Sequence, residues 1–218
     1  MDQTDAAVAG VTEVGPNAVA LDVETPDGFE AHPGQFVRLS LEIEGERESR
    51  FYTISSPDVG DTFEVTLTYD PNADEEALGP RLAGLSPGDS VGVAGPFGDA
   101  YYEGESNTLV LAGGPGVGPA VGIAERTLAD GGEAAVVYLD DNPIHEDRLS
   151  TLAEEGATVH LVDDPANFAD AVTDAADDGA QAFVYGFAGF LEDALDALAD
   201  SGVDPETVKT ESFGPAPE

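Results

Sequence analysis

The chain has 218 residues, 41% of them hydrophobic, and sets 45 Asp and Glu against 7 Lys and Arg, for a formal net charge of -38 with no cysteine. The length allows two compact domains with ample core, and so acidic a surface excludes nucleic acid and anionic membranes as partners. The missing cysteines exclude disulfides, thiolate metal sites, cysteine-ligated iron–sulfur clusters and a cysteine nucleophile.

Apolar periodicity runs through the whole length, so the charge belongs to a folded chain and not to a disordered acidic tail. Such a chain repels itself in dilute buffer, whereas at 1 M salt the screening length falls to about 3 Å. A cytoplasm of high ionic strength, as in salt-accumulating halophiles, is the expected setting. With no apolar run of about 18 residues and no basic-then-apolar leader, the expectation is a soluble cytoplasmic protein. His32, His145 and His160 lie far apart without ligand spacing, and no metal site is expected.

In chain order, alternation predicts strands over 7–14 and 18–23 around Gly15-Pro16-Asn17, then 36–41, 48–54 and 62–69. Phe63, Val65, Leu67 and Tyr69 share one face of the last of these. A short helix over 75–84 and a strand over 90–94 follow. Six strands and one short helix in about a hundred residues read as a small antiparallel barrel. Arg50 stands out because cations are so scarce: it pairs either with a carboxylate or with a phosphate. Tyr52 lies on the same strand face, so a cation and an aromatic plate stand side by side, a pairing that suits a flavin nucleotide.

Thr108 to Ala120 is the joint of the chain. Leu109, Val110, Leu111 and Ala112 have the unbroken apolarity of a strand buried on both faces. Gly113, Gly114, Gly116 and Gly118 then form a turn without Cβ atoms, where backbone N–H groups can approach a ligand, and Pro119 suits the first helical position after Val117 and Gly118. A strand, glycine turn and helix N-terminus in series make an anion site. Against the dinucleotide pattern Gly-x-Gly-x-x-Gly, Gly114 and Gly116 fill the first two places and Pro119 the third.

Beyond the joint, strands over 134–139, 158–162, 181–185 and 208–211 alternate with helices from Pro119 to Gly131 and over 146–155, 165–176 and 190–199. That alternation predicts a parallel sheet covered on both faces, with ligands at the carboxyl ends of its strands. Asp140 and Asp141, about 24 residues past Gly116, stand either where an acid bonds a ribose 2′-hydroxyl or as ordinary surface acids. Two negative charges and no arginine there favour NADH over NADPH.

Arg50-Phe51-Tyr52-Thr53 resembles the Arg-x-Tyr-Ser/Thr motif of the ferredoxin-NADP reductase superfamily of flavoproteins. His32-Pro33-Gly34-Gln35, Leu82 to Asp89, Gly95-Pro96-Phe97-Gly98 and the joint itself match further motifs of that family in order, so the resemblance covers nearly the whole chain. It implies an N-terminal six-stranded antiparallel flavin barrel over 1–103 and a C-terminal α/β parallel-sheet NAD(P)-binding domain over 106–218. Arg50 would meet the flavin phosphate, Tyr52 would pack on the ring, Thr53 would hydrogen-bond near flavin N5, and Thr68 and Tyr69 would flank it.

Where the family has a hydroxyl in its Gly-x-x-Ser/Thr phosphate turn, this chain has Gly79 within Leu78-Gly79-Pro80-Arg81, leaving phosphate contacts to backbone N–H or Arg81 and the choice between FAD and FMN open. Tyr185-Gly186-Phe187 resembles the family's Cys-Gly-Pro loop beside the nicotinamide, with Tyr185 at the Cys and Phe187 at the Pro. Glu211-Ser212-Phe213 resembles its C-terminal Glu-x-Phe, where Phe213 either covers the flavin until nicotinamide displaces it or anchors the chain end. The implied activity is hydride transfer from NADH, or NADPH, to FAD, or FMN. Electrons then pass to a separate ferredoxin, flavodoxin or oxygenase component, or to a free flavin or quinone. A nucleotide-binding module that kept the fold without turnover is the alternative.

Overall fold

Residues 3–177 and 179–216 are described by a computed structural model. The first six strands are β1 (Thr4–Gly15), β2 (Ala18–Glu24), β3 (Phe36–Ile43), β4 (Glu46–Thr53), β5 (Thr62–Thr68) and β6 (Ser90–Phe97), in the order β4-β3-β6-β1-β2-β5 with every pairing antiparallel. The sheet curls until its ends meet: Ile54 bridges to Val65, and the Ser55 N–H donates to the Glu64 carbonyl at 2.9 Å. The inward row of β5, Phe63, Val65 and Leu67, joins Leu21, Val37, Leu39 and Val93 in one apolar core. β4 is exposed from Glu46 to Phe51 and turns inward only at Tyr52 and Thr53, the charged profile of a strand that pairs along one side.

The short helix α1 (Leu78–Ala83) starts three residues later than its sequence pattern suggests. Asp74 accounts for the delay, because its side chain accepts from the Glu76 N–H at 3.0 Å and holds a turn that competes with helix.

The second sheet is fully parallel, with β7 (Asn107–Gly113), β8 (Glu133–Leu139), β9 (Thr158–Val162), β10 (Gln181–Gly186) and β11 (Lys209–Ser212) in the order β11-β10-β7-β8-β9. Helices α2 (Val117–Ala129) and α3 (Glu146–Glu154) pack on one face, and α4 (Phe168–Ala175) and α5 (Ala188–Asp200) on the other. Val110 and Ala112 point to the first face and Leu109 and Leu111 to the second, so the unbroken apolar run of β7 serves two cores. The chain leaves β7 toward β8 and later returns on its opposite side as β10. That reversal opens a crevice at the carboxyl ends of β7 and β10.

A 3₁₀ turn over Gly114–Gly116 precedes α2, which begins at Val117, so Pro119 is the third helical residue and not the first. It still costs no hydrogen bond, because the N–H groups of a first turn have no intrahelical acceptor. Among the described residues no helix is long and apolar enough to cross a membrane.

Candidate active site at the seam of the two sheets

The outward row of β5 builds the seam. Glu64, Thr66 and Thr68 alternate with the core residues and face the second sheet's helices. Glu64 accepts from Arg148 of α3 at 2.8 Å, and the same guanidinium donates to Glu125 of α2 at 2.7 Å and to the Ser55 carbonyl at 2.8 Å. Helix α2 lies against this row through glycines. A Cβ on Gly118 would stand 2.7 Å from Thr66 Oγ1, and one on Gly122 would stand 2.7 Å from the Ser55 carbonyl oxygen.

Thr68, the last member of the row, is exposed and opens onto a cavity of about 190 Å³. Arg50, Phe51, Tyr52, Thr53, Thr66, Leu67 and Thr68 line it from the barrel, and Pro115, Pro119, Phe187 and Phe213 line it from the second sheet. Eight residues singled out in the sequence therefore meet in one place: Arg50, Phe51, Tyr52, Thr53, Thr68, Pro119, Phe187 and Phe213. Burial pushes the Tyr52 phenol up to about 12 while the neighbouring Arg50 guanidinium pulls the other way, so Tyr52 is neutral and offers an O–H beside a cation. Arg81, Arg126, Arg148 and Lys209 all hold carboxylates, whereas among the described residues Arg38, Arg47 and Arg50 hold none, and of these three only Arg50 lines the cavity. The carboxylate alternative for Arg50 finds no support in the structure. Thr53 is buried at the cavity wall, with a hydroxyl able to donate.

Phe213 packs edge-on against Phe187, ring centroids 6.1 Å apart at 89°. The Phe213 N–H donates to the Gly186 carbonyl and the Ala188 N–H to the Gly214 carbonyl, both at 2.9 Å. Phe213 thus lines the cavity while hydrogen bonds on either side of it tie the strand to Gly186 and Ala188.

The glycines of the joint divide by role. The side chain positions of Gly113 and Gly186 are filled by the Phe190 ring, and that of Gly116 by the Tyr185 carbonyl, so packing within the protein explains those three. Gly114, at φ +56°, is the open one: the nearest atoms to a Cβ there are Phe187 Cε2 at 3.9 Å and Asp140 Oδ2 at 4.0 Å. Asp140 therefore faces the turn from the end of β8. Its carboxylate accepts from the Tyr138 hydroxyl at 3.1 Å and the Asn142 N–H at 2.8 Å, which fixes its direction. Asp141 instead accepts from the Asn142 side chain at 2.9 Å. Val117 is fully buried in the core, so only its backbone can meet a ligand.

Beside the glycines of the joint, Val117, Gly186, Asp140 and Asp141, the sequence candidates Tyr69, Leu78, Gly79, Arg81 and Tyr185 also lie outside the cavity wall. Tyr69 packs on Gly79, where a Cβ would stand 3.3 Å from Tyr69 Cβ, which accounts for the missing hydroxyl residue. Leu78 is in the barrel core, and Arg81 pairs with Glu76 at the surface at 3.2 Å. Tyr185, at the place of the family's Cys, turns away from the crevice. Its hydroxyl donates to the Ala100 carbonyl across the seam, against Gly34 at φ +96°, and burial pushes the phenol far up.

Sequence reasoning passed over Thr66, read Leu67 only as core, and named Glu211 only as a motif position. Pro115 stands in the 3₁₀ turn and leaves it one backbone N–H fewer. Glu211 borders a neighbouring groove with Thr53 and Phe51, and burial followed by Asp99 raises its carboxyl.

Arranged in this way, two β units with an aromatic and hydroxyl-lined cavity between them superpose on known proteins. A ferredoxin NADP+ reductase from Neisseria gonorrhoeae, solved with bound FAD and NADP, aligns at a TM-score of 0.75 over 98% of this chain and 99% of that one, at 17% identity. The fold is that of the ferredoxin-NADP reductases.

Sequence matches to that reductase fold are shorter. A probable dihydroorotate dehydrogenase B electron transfer subunit of Methanopyrus kandleri is 38% identical over 97 residues, 43% of this chain and 32% of that protein. The flavodoxin/ferredoxin-NADP reductase of Escherichia coli is 40% identical over 97 residues, 42% of this chain and 38% of that one. The chain spans between about a quarter and a half of the length of the curated relatives it matches. No family model matches it.

Proposed function

We propose that the chain is a flavin-dependent NAD(P)H reductase, with residues 1–103 holding the flavin and 106–218 the nicotinamide dinucleotide. The observation that carries this reading is the single cavity in which Arg50, Tyr52 and Thr53 of the barrel face Pro119, Phe187 and Phe213 of the parallel sheet. The residues fit such a group: a cation without a carboxylate partner for phosphate, an aromatic plate, and a hydroxyl donor at the wall. Bound FAD, or FMN, would supply acceptance of a hydride from nicotinamide and release of electrons one or two at a time.

The chain's own residues then position and shield. Arg50 holds the phosphate, Tyr52 and Phe213 bound the ring, and Thr53 donates toward its polar edge. Gly114 leaves room at the carboxyl end of β7, and Gly113, Gly116, Gly186 and Val117 present backbone there. Asp140, with Asp141 beside it, accepts from a ribose hydroxyl and repels a 2′-phosphate, so NADH is favoured over NADPH. Backbone near Leu78 and Gly79, with Tyr69 and Arg81, borders the remainder of the flavin nucleotide.

Similarity to the flavodoxin/ferredoxin-NADP reductase and to the electron transfer component of a toluate 1,2-dioxygenase of Pseudomonas putida supports a separate electron acceptor of the ferredoxin, flavodoxin or oxygenase-component type, with a small acceptor such as free flavin or quinone as the second choice. The charge of -38 supports work in a cytoplasm of high ionic strength. Protein purified in molar KCl and offered FAD or FMN is expected to turn yellow and to bleach with NADH under anaerobic conditions, more slowly with NADPH. A chain that stays colourless with both flavins would refute the reductase reading and leave a nucleotide-binding module without turnover. Mixing the reduced protein with each carrier class ranks the acceptors, since docking raises the rate of the right one by orders of magnitude.

A further inference from the structure

We propose that His145 is a positioning residue for the cavity: it fixes the hydroxyl of Thr66, and through it the register of the barrel wall against the second sheet. This rests on the cavity taking a flavin ring. Thr66 Oγ1 and His145 Nε2 lie 2.7 Å apart, both residues buried, and Thr66 is itself part of the cavity lining. His145 precedes α3 in the left-handed region, at φ +58°, a conformation that residues with a Cβ rarely hold. That backbone is held in place from the barrel, because the His145 N–H donates to the Val14 carbonyl at 2.8 Å. Main chain and side chain of one residue thus both cross the seam, to β1 and to β5. The imidazole gives no capping bond to its own helix, so its direction serves the barrel and not α3.

The row on β5 gives the contact its consequence. Glu64 is taken by Arg148 and Thr66 by His145, and the next outward residue, Thr68, is the one left open to the cavity. A shift at Thr66 is therefore passed to the cavity wall on the same strand and to Gly118 of α2, against which Thr66 packs. Arg148 on α3 and Glu64 on β5 act on the imidazole, and Glu146 and Asp147 on α3 and Glu13 on β1 line the same groove. Burial and then Arg148 push His145 down to about 4 while Glu64 opposes them, so the ring is neutral at neutral pH and can accept a hydrogen bond from the Thr66 hydroxyl.

His145→Ala and Thr66→Val are each expected to weaken flavin binding about fivefold, the worth of one hydrogen bond, and to shift the visible bands of the bound flavin. The double variant should lose no more than the worse single one, because both remove the same contact. His145→Gln, whose amide oxygen can accept from the Thr66 hydroxyl as Nε2 does, should restore the affinity and the spectrum. Fluorescence titration with FAD and FMN in molar KCl measures all of these, alongside melting of the flavin-free proteins. A merely structural role would lower the melting temperature and leave the flavin affinity alone. Wild-type protein that binds neither flavin overturns the flavin reading and this inference with it. Wild-type binding matched by both single variants, or additive losses in the double variant, overturns this inference alone.

Discussion

Replacing Arg148 by alanine removes a cation on which both halves of the molecule converge. Its guanidinium donates to Glu125 twice, at 2.7 Å each, to Glu64 at 2.8 Å and to the Ser55 carbonyl at 2.8 Å. Without it, two carboxylates on facing elements are left together in a partly dry seam, where Glu64 keeps only the Ser55 hydroxyl at 2.6 Å. Removing one partner of a fully buried pair costs about 3–5 kcal/mol. Here the side chains keep 23%, 20% and 26% of their exposure, so water screens part of the repulsion and roughly 3 kcal/mol is the expected loss. For a chain of this length that lowers the melting temperature by roughly 6–12 °C.

Circular dichroism melts in molar KCl measure it, and the drop should persist as salt is raised because a buried pair is weakly screened. Arg148→Met combined with Glu64→Gln and Glu125→Gln should recover most of the loss, since no charge is then stranded. A drop below about 2 °C, roughly 1 kcal/mol or less, or a triple variant no better than Arg148→Ala, would refute the argument.

Arg50→Gln should leave the melting temperature of the flavin-free protein nearly unchanged, since among the described residues Arg50 holds no carboxylate, yet weaken flavin binding roughly 10- to 100-fold. Titration and melting of the same sample separate the two. Asp140→Ser should narrow the preference for NADH over NADPH by about tenfold in kcat/KM, one lost charge repulsion being of the order of 1.4 kcal/mol; an unchanged ratio would mean Asp140 is an ordinary surface acid. The pH dependence of His145 has a definite sign. Its folded value, pushed down to about 4, lies below the unfolded 6.5, so its stabilisation is complete above pH 6.5 and is lost as pH falls toward 4. Relative to His145→Gln, the wild type should lose about 1.4 kcal/mol per pH unit across that window, and parallel pH–melting curves for the two proteins would contradict it.

The two β architectures were legible because both rest on periodicity. Alternation along 62–68 marks one face of β5 as core, and the unbroken run 109–112 marks a strand between two helix layers. Arg50 and Tyr52 were legible as a strand pattern, and Thr53 only through the motif they share. What lines the cavity opposite them was less so. Thr66 lies on the face of β5 that alternation marks as outward, and only the docking of the second sheet reveals that this face is a seam. Tyr185 occupies a motif position whose backbone fits the motif while its side chain crosses to Ala100. The glycines of the joint read alike in sequence, but their separate causes, Phe190, Tyr185 and Thr66, come from residues between about 50 positions upstream and 75 downstream.

The double clip on the C-terminal strand has a kinetic consequence. With the backbone tied to Gly186 before the Phe213 ring and to Ala188 after it, that wall of the cavity can be uncovered only by rotation of one side chain about its own bonds. Rotations of that kind belong to nanoseconds and shorter where a ring has an open side, whereas loops and lids take up to milliseconds. Exchange of whatever stacks against this wall is therefore gated by a dihedral angle and not by a segment opening, and its rate should respond to the bulk of Phe187, the ring that Phe213 turns against.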